Sequence, residues 1–267
     1  MCNFEAQSLF GACLSVKPST LSCRTCFTFK GKGDYVYTFI YAACALLQAT
    51  LAVFAIRLFI KRRSISAFML IVPIAAVVWD NAIVALGATI GDGSLLVALS
   101  WPRFIGHALF TPAWIVAGIG FAQRAGAVRL QTQVVNAGQW VLYAACVVLG
   151  FLRSVVYLVM VPATEGGLFY YQNAGSFPGP PFGSIIMLFV VLICAVVVWR
   201  YTRMPWMFLG ALFMLAVSVV PTAIVGFVLS NSGEVVMAAS LVVTEYLLQK
   251  REQQAAQQAP VTVVPIS

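Results

Sequence analysis

The chain has 267 residues, of which 61% are apolar and only 9% are Asp, Glu, Lys or Arg, and it carries a formal net charge of +8. A soluble domain carries roughly 25% charged residues, so at a mean hydropathy of +0.95 there is too little polar side chain to cover a globule of 28.8 kDa. That excludes a soluble enzyme and a disordered chain, and leaves an all-α polytopic membrane protein whose partner is the lipid bilayer.

Residues 1–33 form a tail with seven Ser or Thr, the basic residues Lys17, Arg24, Lys30 and Lys32, and one acid, Glu5. They lack the apolar core of a secretory signal. Two readings stay open: a flexible tail, or a transit peptide for a plastid or mitochondrial membrane. Cys23-x-x-Cys26 has no second pair, which argues against zinc.

Seven apolar stretches then follow, at residues 36–60, 67–91, 99–123, 136–161, 183–201, 205–229 and 233–249. Each is compatible with the roughly 20 residues that a helix needs to cross the hydrocarbon layer, and none alternates as barrel strands do. The predicted transmembrane domain is therefore residues 34–249, followed by a flexible tail at 250–267. Arg57, Lys61, Arg62 and Arg63 follow the first stretch, Arg124 and Arg129 the third, Arg200 and Arg203 the fifth, and Lys250 and Arg251 the seventh. The other links hold Asp92, Glu165 and Glu234. The positive-inside rule then places the N-terminus outside and the C-terminus inside. These ten basic residues mark topology, so the net charge does not argue for a nucleic-acid partner.

The long outer connection, residues 162–182, is rich in Gly and Pro and carries Phe169, Tyr170, Tyr171 and Phe177. It reads as an aromatic loop lying on the bilayer interface. Pro73, Pro112 and Pro221 interrupt the second, third and sixth spans and are expected to kink them. Gly87-x-x-x-Gly91 offers a close-packing face, either within the bundle or to a second copy; the sequence does not set the oligomeric state.

Ionisable groups inside spans are expensive, at about +2.5 to +3.5 kcal/mol each, so each needs a partner or a task. Asp80, Arg103, His107 and Arg153 fall in one layer, roughly 6 to 17 Å below the outer boundary at 1.5 Å per residue. Glu234 reads as an outer-boundary residue, and Glu245 as one that snorkels toward Lys250 or Arg251.

The structural reading of the layer is a buried ion pair, Asp80 with Arg153 or Arg103, supported by Asn81, Tyr143, Tyr157 or Gln48. The functional reading is a cavity open to the outer side, with net positive charge. It would bind or transport a small anionic or amphipathic ligand, with Arg gripping a carboxylate or headgroup. Two alternatives accompany it: a membrane-embedded enzyme using Asp80 as acid or base with help from His107, or a non-catalytic sensor or assembly factor. His107 is the sole histidine, which argues against a His-rich metal centre. No Gly-x-Ser-x-Gly turn frames a serine, and no metal or cofactor is expected.

The third stretch reads Trp101-Pro102-Arg103-Phe104 and then Thr111-Pro112. This pattern resembles the third helix of microbial rhodopsins. The resemblance implies a seven-helix bundle with an outer N-terminus, with Pro221 matching that family's sixth-helix kink. Two departures limit it. Gly106 stands where the family has a proton-accepting carboxylate, and the seventh stretch has no interior lysine, since Lys250 lies at its end. What is implied is an opsin-like bundle without a retinal attachment point. A seven-helix sugar transporter of the SWEET type has a similar size, but its Pro-Gln repeat motif is missing.

Overall fold

The computed structural model describes residues 36–177, 180–220 and 222–258, with the backbone alone for 222–227. The expectations for residues 1–33 and for 259–267 lie outside the described residues. Eight α-helices make up most of the described residues: α1 (Val36–Arg62), α2 (Ile65–Ile90), α3 (Ser94–Leu109), α4 (Ala113–Arg124), α5 (Gln133–Phe151), α6 (Phe182–Thr202), α7 (Trp206–Val219) and α8 (Thr222–Gln258). Among the described residues, five helical stretches are long and apolar enough to cross a membrane: α1, α2, α3 with α4, α5 with the turn after it, and α6. They mark the chain as an integral membrane protein.

The helix ends follow local chemistry. Ser64 accepts from the amide of Ala67 at the start of α2, and Thr132 from that of Val135 at the start of α5. Helix α2 stops at Gly91, whose φ of 79° suits glycine.

The third apolar stretch is broken rather than bent. Pro112 has no amide to donate, and the amide of Ala113 turns back to the carbonyl of Phe110 at 2.9 Å. That leaves the carbonyl of Leu109 without its helical donor, and the Tyr143 hydroxyl supplies one at 3.0 Å. Pro73 causes no such break and lies inside α2.

The last two helices meet elsewhere than expected. Residues 205–229 and 233–249 were expected as spans, but α7 ends at Val219 and α8 runs unbroken from Thr222 to Gln258. Pro221, expected to kink the sixth span, lies outside the described residues. Helix α7 has 14 residues, about 21 Å, and α8 has 37, about 55 Å. Residues 250–258, expected in a flexible tail, continue α8.

Helix α2 packs on α1, α3 and α4, each helix from α4 to α7 packs on the next, and α1 closes on α8. The main core lies between them, around Leu70, Ile74, Trp114, Phe121, Met207 and Leu241.

The 162–182 connection is not a loop lying on the interface. The helix of α5 widens to a π-turn at Leu152–Val156 and stops. An antiparallel hairpin follows, β1 (Met160–Glu165) with β2 (Leu168–Asn173), so the fold is mostly rather than wholly helical. Gly166 and Gly167 make its tight turn with φ of 49° and 82°.

All of Leu168–Tyr171 is buried. Phe169 and Tyr171 pack with Ile83 and Leu96, while Leu168 and Tyr170 pack with Tyr41 and Val84. Gly87 makes this approach possible: a Cβ there would overlap the carbonyl oxygen of Phe169. Of the Gly87-x-x-x-Gly91 pair, one residue therefore receives a strand and the other caps a helix.

Candidate functional site

At the hairpin end of the bundle, α2 and α3 bring three of the expected residues together. Asp80 lies ten residues before the end of α2, about 15 Å along the helix. Nε of Arg103 donates to Oδ1 of Asp80 at 2.5 Å, and Nη1 donates to the backbone carbonyl of Tyr171 at 3.2 Å. His107 follows Arg103 by one turn and shares its face. Its Nε2 lies 3.4 Å from Oδ2 of Asp80, and its Nδ1 lies 3.4 Å from the hydroxyl of Thr111. Asp80 and Arg103 are both buried. Arg103 also sits over the ring of Phe104, 5.6 Å from its centre.

Arg103 is thus the partner of Asp80. Asn81, Gln48 and Tyr143, three of the four polar residues expected to support the pair, are occupied elsewhere. Asn81 donates to Gln48 at 3.0 Å, and Tyr143 is committed to Leu109.

Arg153 lies apart from this cluster, on the π-turn after α5. Asn173 secures that turn by donating to the Arg153 carbonyl at 3.1 Å, since a widened turn leaves carbonyls to be satisfied. The single expected layer therefore divides into two cavities. One, of about 320 Å³, is lined by Asp80, Arg103, His107 and residues of β2 and α8. The other, of about 200 Å³, is lined by His107, Arg153, Ser154, Ser184 and the rings of Phe177 and Phe182 among others. His107 borders both.

The larger cavity contains a residue placed elsewhere by the sequence reading. Glu234 was expected at the outer boundary, but α8 starts at Thr222, so Glu234 lies twelve residues inside it, about 18 Å from its start. It lines the cavity with Ser230 and Asn231. One of its carboxyl oxygens, Oε2, is buried without a hydrogen-bond partner. Asp80 and Glu234 thus face Arg103 and His107 on this wall, two acidic groups against two basic ones, where net positive charge was expected.

Glu245 does not snorkel. It is wholly buried and ion-paired with Arg124, and Gln249 donates to its other oxygen at 2.7 Å. Arg124 also bonds Glu252 at 3.0 Å, and Arg62 pairs with Glu252 too. Two arginines assigned to topology thus also join α1, α4 and α8 at this end.

The hairpin is tied by its own hydroxyls. Tyr171 donates to Asp92 at 2.5 Å, and Tyr170 donates to Glu165 at 3.1 Å. The hydrogen bond to Asp92 pushes the Tyr171 phenol up, and burial beside Glu165 pushes the Tyr170 phenol up to about 12.

Among the described residues, no three His, Cys, Asp or Glu side chains group to hold a metal ion. No protein-family model matches the sequence, and no curated protein is significantly similar to it.

Proposed function

We propose that this chain is a seven-span membrane protein, with the N-terminus outside and the C-terminus inside, that binds or moves a small anionic, amphipathic ligand. The site is the cavity beside Arg153 in the outer half of the bundle. The observation that carries the reading is the composition of that wall. It combines a guanidinium, an imidazole and the hydroxyls of Ser154 and Ser184 with the rings of Phe177 and Phe182, and none of its lining residues is acidic. Arginine suits a carboxylate or phosphate because its fork can donate two parallel hydrogen bonds, while the rings suit an apolar body.

Support for seven spans comes from the basic links and from the ring order in which α1 closes on α8. The likeness to microbial rhodopsins enters as an opsin-like bundle without a chromophore. An enzymatic role for Asp80 has less support, since both of its oxygens are engaged by Arg103 and His107.

Octanoate is a suitable probe. The full chain in lipid nanodiscs should gain thermal stability with added octanoate, saturably, through preferential binding to the native state. Octanol should give no saturable gain, and the Arg153→Met variant should lose the response. An undiminished response in Arg153→Met would remove the basis for the anion site.

A further inference from the structure

We infer that the larger cavity, at Asp80 and Glu234, is a second and separate binding site, whose ligand is a small primary ammonium with a compact apolar body. The inference does not depend on the Arg153 cavity.

The charges on the wall are unequal in their commitments. Asp80 is answered by Arg103 and His107. Arg103 in turn spends Nε on Asp80 and Nη1 on the Tyr171 carbonyl. Glu234 Oε2 is the acceptor left over, buried and unbonded. A buried acceptor without a donor is costly, and a charged one more so. The wall therefore asks for a cation that brings an N–H. A quaternary ammonium has the charge but no donor to give. A metal ion would need more ligating groups than the described residues gather.

The remaining lining explains the apolar body. Tyr41, Phe104, Tyr170 and Tyr171 face the same cavity of about 320 Å³. Aromatic faces attract a cation and cover its hydrocarbon. Arg103 already sits over the Phe104 ring. Ser230 and Asn231, one turn before Glu234 on α8, line the same cavity.

The test uses the full-length chain in nanodiscs and benzylammonium chloride as the probe, with benzyl alcohol as its neutral counterpart and sodium chloride for ionic strength. Benzylammonium should raise the melting temperature saturably, and the two controls should not. Glu234→Gln keeps the shape of the side chain and removes its charge, and should weaken the apparent affinity at least tenfold. Arg153→Met should leave it unchanged, which separates this site from the anion site. A second measurement needs no variant: 9-diazomethylanthracene esterifies buried carboxyl groups without coupling them to amines, and benzylammonium should protect Glu234 from it, as read by mass spectrometry of the peptide. Equal stabilisation by benzyl alcohol or by sodium, full affinity in Glu234→Gln, or the absence of protection would each overturn the inference.

Discussion

Arg103 joins Asp80 to Tyr171: one guanidinium holds the carboxylate of α2 and the backbone carbonyl of β2 together, 2.5 and 3.2 Å away. Helix, helix and hairpin are thus secured by one side chain. Removing it strands a buried carboxylate, with only His107 left beside Asp80. Arg103→Ala should cost about 3–5 kcal/mol, the range found when one partner of a buried pair is deleted. The double variant Asp80→Leu with Arg103→Met removes both charges and should recover most of that loss. Thermal unfolding in nanodiscs measures both. A double variant no more stable than Arg103→Ala would show that the pair contributes more than mutual neutralisation.

At the opposite end, the two carboxylates on Arg124 differ in burial, so their removal should differ in cost. The Glu245 side chain is 0% exposed and that of Glu252 is 24% exposed. Glu245→Ala should cost about 3–5 kcal/mol. Glu252→Ala, closer to a surface pair, should cost about 1 kcal/mol or less. Equal losses in chemical denaturation would contradict the burial argument.

Tyr170 gives the hairpin a pH limit. Its phenol is pushed up to about 12, first by burial and then by Glu165. Because the folded value lies above the ordinary one near 10, the protonated hydroxyl stabilises the hairpin fully below pH 10. That contribution is lost as the pH rises through 12. Subtracting the 295 nm titration of Tyr170→Phe from that of the native chain should leave one ionisation near 12. In Glu165→Gln the midpoint should fall but stay above 10, since burial is the larger cause. A difference midpoint near 10 in the native chain would mean that Tyr170 is not packed.

Gly87 and Gly138 make a matched pair of tests. A Cβ at Gly87 would run into the Phe169 carbonyl, which is backbone and can yield only if β2 moves; at Gly138 it meets nothing within 4 Å. Gly87→Ala should therefore cost about 1–3 kcal/mol and make the hairpin open to protease. Gly138→Ala, in the middle of α5, should be neutral or gain up to about 1 kcal/mol. The comparison is decided by cleavage at the Gly166–Gly167 turn.

How much of this was legible beforehand depended on the kind of signal. Apolar runs with basic links gave the helices from α1 to α6 closely, because hydropathy and charge are local properties. The pairing of Asp80 with Arg103 was one of two options, and depth alone did not choose between Arg103 and Arg153. That choice depends on which way α5 turns after Phe151, and on the π-turn that carries Arg153 into the neighbouring cavity.

The last two helices were divided wrongly for a specific reason. Ser230, Asn231 and Ser232 look like a polar link, yet they continue α8; the Ser232 hydroxyl bonds back to the carbonyl of Val228 at 2.9 Å, as serines inside apolar helices do. Helix α7 ends at Val219 and α8 begins at Thr222. Moving the junction by about ten residues carries Glu234 from the boundary to the interior, which is why it was not counted among the site residues. The hairpin was hidden in a similar way. A Gly-Gly turn and the run Leu168–Tyr171 describe a buried strand, but aromatic residues beside glycine and proline describe an interfacial loop equally well.

The spacing of the Asp80 contacts along the chain sets an order of assembly. Arg103 is 23 residues from Asp80, whereas Tyr171 is 68 residues beyond Arg103. During synthesis the two charges can neutralise each other as soon as the second and third helices have left the translocon together, before the hairpin exists. The costliest groups in this part of the bundle are thus made safe early and locally. The hairpin then closes over a pair already formed, and Glu234 reaches the cavity last, with the helix that completes the ring.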